Sequence, residues 1–192
     1  MNNSHSGIDY RSDIRPLNAA LREAVDFVHA EGWDRPPTLF ALVPAHLVQD
    51  TLAAGGQDLD TDHHPLTLVV QDELPDHLLP GSEELGDYIA SARWPSPVVG
   101  AVLAQEIMFS NAAPGADPSP LPARLFSGII DGGPERTLVQ LRPTPEELES
   151  DPFAQDRVQL LGGENLAPGV IAALRTSFED AGDSDGGPGH LL

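Results

Sequence analysis

The segment VVGAVLAQEIMF, residues 98–109, is apolar on both faces of an extended chain over most of its length. A strand with one wet face alternates apolar and polar residues, so this run needs cover on both sides, at least at its middle. It reads as a central strand, and the fold must supply layers above and below it. A chain of 192 residues can do so, since a domain of this size buries roughly 70% of the surface its unfolded chain exposes. Aromatic residues make up only 5% of the chain, so that core has to come from Leu, Val, Ile and Ala.

The other elements follow from periodicity and punctuation. Leu17, Leu21, Ala24, Val25 and Val28 recur at helical spacing, with Pro16 near the start and Gly32 at the stop, which predicts an amphipathic helix of about 16 residues. Arg35 and Pro36 each precede a proline and are pushed out of the helical region, so EGWDRPPTLFALVP is a helix-to-strand corner. AHLVQDTLA is expected to add two helical turns before Gly55-Gly56, and LTLVVQ is a short strand. Ser82, followed by Glu83 and Glu84, caps a second helix striped by Leu85, Ile89 and Ala92. RLFSGII, the turn DGGPE and RTLVQLR form a hairpin. PTPEELESDPFAQD is an acidic excursion, RVQLLGGEN fits either strand or loop, and Asn165 with Pro168 opens a last helix.

The resulting order, α-β-β-α-β-β-β-α, predicts an α+β domain with a mainly antiparallel sheet of about five strands and helices packed on it. Profilin-like and roadblock-like domains share that order, an analogy of fold that carries no function. Residues 13–180 form the expected single domain, with residues 1–12 and 181–192 expected as disordered tails.

Thirty acids face ten bases, a formal net charge of -20. Such a surface repels phosphate backbones and anionic lipid, so neither nucleic acid nor membrane is an expected partner. It serves solubility, or it attracts a basic partner. All ten bases are Arg, which removes P-loop and Schiff-base lysines, and the absence of Cys removes thiol nucleophiles, disulfides and thiolate metal sites. No signal peptide or long apolar segment appears in the sequence, and a cytoplasmic location is expected.

Two groups of residues carry candidate sites. DLDTDHHP offers Asp62, His63 and His64 as ligands for a divalent metal. An EF-hand is excluded, because His63 stands where Gly is needed and Val69 where Glu is needed. QDELPDH offers a second acid and His cluster at the far end of the intervening strand, on the order of 26 Å away, too far to share one ion. Trp33 and Trp94, the only tryptophans, each sit in a helix–tryptophan–proline–strand context, with Arg35 beside the first. Either the indoles cap the sheet ends, or they line one pocket or partner patch. Ser127 lacks the flanking glycines of a nucleophile elbow, and GGENLAPG has the wrong spacing for a phosphate loop.

GWDRPPTLFALVP, RWPSPVVGAVLAQEIMF, RTLVQLR and NLAPGVIAALRTSFED resemble, in that order, a small family of uncharacterised single-domain proteins from actinobacteria, over most of residues 17 to 180. The resemblance rests on scaffold-like segments and transfers no functional residue. The expected function is a non-enzymatic interaction or adaptor module with a protein partner or as a homodimer, needing no cofactor. Its contact surface is the sheet, the Trp-bearing corner, or an edge strand such as residues 136–142. The alternatives are a metal-assisted hydrolase using loop 58–64 and a small-molecule binding domain.

Overall fold

The computed structural model describes residues 9–48, 65–71, 74–110, 114, 115, 117, 119–163 and 165–179. The helix α1 (Arg15–Glu31) starts with a proline in its first turn and stops at Gly32, whose φ of 89° no β-carbon-bearing residue adopts easily. Strands β1 (Thr38–Pro44) and β2 (Leu66–Val70) follow. Next is α2 (Glu83–Ser91), where the Ser82 hydroxyl accepts the Leu85 N–H and two glutamates occupy the first turn, as the sequence predicted. The chain continues through β3 (Gly100–Phe109), β4 (Leu121–Ile130) and β5 (Glu135–Leu141). It then forms α3 (Pro145–Ser150), a 3-10 turn (Ala154–Asp156), β6 (Leu160–Gly163) and α4 (Pro168–Glu179).

Among the described residues the sheet has six strands in the order β2-β1-β3-β4-β5-β6, and every neighbouring pair is antiparallel. The α+β expectation holds, with one strand more than the five expected. The addition is β6, from the segment that fitted either strand or loop. Its two glycines weaken the strand signal, and pairing with β5 supplies what propensity lacks. The acidic excursion also contains α3, a single short helix closed by a reciprocal capping box between Thr144 and Glu147.

Burial explains the layers. On β3, Val102 and Ala104 turn toward α1 and pack with Leu17, Leu21, Val25 and Phe126. Ala101 and Leu103 turn the other way, toward Leu85 and Ile89 of α2 and Leu174 and Phe178 of α4. All four β3 residues are nearly inaccessible, which is the two-sided cover their sequence demanded. At Gly128, a β-carbon would lie 3.0 Å from Leu21 and 3.2 Å from Leu17. Its absence lets α1 lie close on the sheet. No helix among the described residues is long and apolar enough to cross a membrane.

Candidate functional site

The tryptophan corner is built where the C-terminal end of α1 meets three strands. Glu106 of β3 lies opposite Arg124 of β4, which lies opposite Gln140 of β5. Arg124 is only 1% exposed, so its charge needs compensation. Its guanidinium donates to the Gly32 carbonyl at 2.6 Å and to the Gln140 side-chain oxygen at 3.2 Å, and it lies 4.2 Å from the centre of the Trp33 ring. A cation against the last carbonyls of a helix is favoured by the helix dipole as well. Burial lowers the Arg124 pKa, with the Glu106 and Glu31 charges opposing that shift and Arg142 adding to it.

Further hydrogen bonds close the corner. Glu106 accepts the backbone N–H groups of Asp34 and Arg35, and Arg35 in turn donates its Nε–H to the Glu31 carbonyl. Arg142 also lies over the Trp33 ring, 5.3 Å from its centre, and grips Asp34 through two bonds of 2.9 and 3.1 Å. Asp34 adopts a φ of 64°, a conformation Asp tolerates better than most residues. Because Arg124 only donates, the Gln140 oxygen must face it and the Gln140 amide nitrogen must donate to His29 Nδ1, at 3.0 Å. Trp33 and Arg35 thus serve as fastenings between α1 and the sheet.

Trp94 has a different place. Its indole N–H donates to the Ser177 hydroxyl at 2.8 Å, and its ring stacks on Phe178 with centroids 5.6 Å apart. It joins the core cluster of α2 and α4, whereas Arg124, under Trp33, shares its sheet face with Phe126 in the α1 cluster. The two tryptophans therefore lie on opposite faces of the sheet and do not line one pocket. Asp62, His63 and His64 lie outside the described residues, as do much of AHLVQDTLA, most of both expected tails, and Asp72 and Glu73. Among the described residues no group of three His, Asp or Glu side chains comes together as a metal set.

The expectation that residues 136–142 form an edge is corrected, because β6 pairs with Thr137 to Gln140 and covers β5. Among the described residues the edges are β2 and β6. On β2, Pro65 accepts from Ala45 and Gln71 donates to Leu39, both at 2.9 Å. In an antiparallel ladder this pairs the odd-numbered residues with β1 and turns the N–H and C=O groups of Leu66, Leu68 and Val70 outward. No described residue pairs with that side. Val69 and Val70 are 42% and 46% exposed, one on each face of the strand. On the α1 side Phe27, 43% exposed, stands edge-on against Phe40, the residue paired with Val70. The sequence showed β2 as a strand but not as an edge, since strand order is not written in periodicity.

A cleft of about 890 Å3 lies between the start of β5, the glycines of β6 and α4. Arg136, Gly162, Asn165, Ile171 and Arg175 are among its lining residues. Arg175 is committed to Glu135 and to the carbonyls of Ile130 and Gly133, which clamps α4 to the β4–β5 turn.

A family model described as PPA1309-like protein matches residues 17–179. That span agrees with the resemblance read from the four segments of the sequence. No curated protein and no solved structure matches the chain.

Proposed function

The chain belongs to the PPA1309-like protein family, a match that covers all six strands, and we propose that this scaffold works as a non-enzymatic interaction module taking up a partner strand along the outer edge of β2. The observation that carries this reading is the edge itself. Three outward backbone pairs, at Leu66, Leu68 and Val70, run along a strand whose last two residues, Val69 and Val70, are half exposed. An edge of this kind adds strands through main-chain hydrogen bonds, with side chains on alternate faces setting selectivity. The opposite edge, β6, is four residues long and contains two glycines, which makes it the poorer template.

Replacing Val70 with Pro tests the reading. Proline at 70 removes an outward N–H and leaves the β1–β2 hydrogen bonds of Thr67, Val69 and Gln71 in place. Partner capture from extracts of the source cells, together with sedimentation of the pure protein, should show association that Val70→Pro abolishes while the unfolding temperature is retained. Association indifferent to Val70→Pro contradicts the reading.

The cleft beside α4 supports a second reading, a small-molecule binding domain, because its volume of about 890 Å3 lies in the range of ligand pockets. Saturation of a shift in tryptophan fluorescence by a ligand from a metabolite panel, lost in Ile171→Trp, would favour it, since Trp94 is bonded to Ser177 of the same helix.

A further inference from the structure

The occupant of the β2 edge has a charge that the rest of the molecule dictates. Resting on the interaction reading above, we infer that the partner is an extended basic segment of another protein, rather than a second copy of this chain. The strand LTLVV is itself uncharged, so it repels neither sign. Its surroundings are not neutral. Phe27, beside the edge, sits on α1 next to Asp26, with Glu23 and Glu31 four residues to either side, three acids against the one arginine of that stretch, Arg22, although Glu23 has a partner of its own and the Glu31 charge also acts on Arg124. Residues four apart share a helix stripe. A strand added to β2 projects every second side chain toward that stripe.

The whole chain reinforces the local sign. Two copies brought edge to edge would each carry a formal charge of -20, and like charges oppose association. A segment alternating apolar and cationic residues answers both features. Its backbone completes the bonds of Leu66, Leu68 and Val70, its apolar side chains cover Val69 on the face away from α1, and its cations meet the acids on the α1 side. Attraction of this origin speeds encounter and fades with salt.

The test uses the full chain and two synthetic nine-residue peptides, one alternating Arg and Val, the other Glu and Val, followed by calorimetry and by amide hydrogen exchange. The expected result is binding of the Arg–Val peptide alone, weakened about tenfold between low and high salt. It should slow exchange at Leu66, Leu68 and Val70 and be lost in Val70→Pro. Should that variant fail to fold, the exchange pattern of the wild-type chain decides in its place. Equal binding of both peptides at these three amides would overturn the basic partner and leave the edge reading standing. So would a wild-type dimer that Val70→Pro dissociates. Binding of the Arg–Val peptide with no protection at these amides, or no binding at all, would overturn the inference, and amides already slow in the free chain would overturn the edge reading with it.

Discussion

The carboxylate of Glu106 and the guanidinium of Arg124 stand on paired positions of β3 and β4, and between them they hold the end of α1 on the sheet. Glu106 takes the N–H groups of residues 34 and 35, while Arg124 takes the carbonyl of Gly32. Losing the buried cation leaves polar groups without partners. Arg124→Ala is expected to cost about 3–5 kcal/mol and Glu106→Gln about 1–3 kcal/mol. Chemical denaturation of the two variants and of the double variant checks this. Because the residues belong to one network, the double variant should lose less than the two single losses added together.

The proton positions at the corner follow from the same network. Gln140 presents its oxygen to Arg124 and its NH2 to His29, so His29 should carry its proton on Nε2 with Nδ1 as acceptor. Nitrogen chemical shifts of the His29 ring distinguish the tautomers. A proton found on Nδ1 at neutral pH would mean that Gln140 is turned the other way.

Ser177 and Trp94 provide the corresponding lock on the opposite face. Ser177 is fully buried, accepts the indole N–H and donates to the Leu174 carbonyl. Ser177→Ala strands the indole donor and should lower stability by about 1–3 kcal/mol, measured by urea unfolding. Ser177→Thr, which keeps the hydroxyl, should restore part of the loss.

Acid should loosen the Trp33 corner in a defined direction. The two hydrogen bonds from Arg142, and then its charge, lower the Asp34 pKa from the ordinary 3.8. A depressed carboxylate contributes stability above its unfolded value and loses it as pH falls through the lower folded value. Between pH 3.8 and that folded value the contribution of Asp34 should fade, and Asp34→Asn should be the less acid-sensitive protein. Thermal unfolding of both proteins across that interval is the measurement. Parallel curves would show that the bond to Arg142 adds nothing to stability.

Local punctuation carried much of this structure into the sequence. Pro16 and Gly32 bound α1, Ser82 starts α2, and the two-faced run at 98–109 places β3 at the centre. Relations between distant strands were not legible in the same way. Glu106, Arg124 and Gln140 are 18 and 16 positions apart, and only the pairing register makes them neighbours. Arg124 within RLFSGII is an arginine at the head of an apolar strand, a signal of a buried and compensated charge that goes unused while its partners are unknown. The glycine-rich β6 stayed open between strand and loop for the opposite reason, since partner strand and not side chain defines it, and with it the edge among the described residues passed from β5 to β2 and β6. The choice between two capping indoles and one shared pocket stayed open in the sequence because a repeated local pattern does not say which face of a sheet it reaches.

Residue-resolved amide hydrogen exchange of the free chain tests the open edge of β2 most directly. Exchange at Leu66, Leu68 and Val70 is predicted to be fast, and exchange at Thr67, Val69 and Gln71, which donate to β1, slow. Uniform slow exchange across residues 66–71 would show that the outer side of the strand already has a partner, and would contradict the proposal that it waits for one.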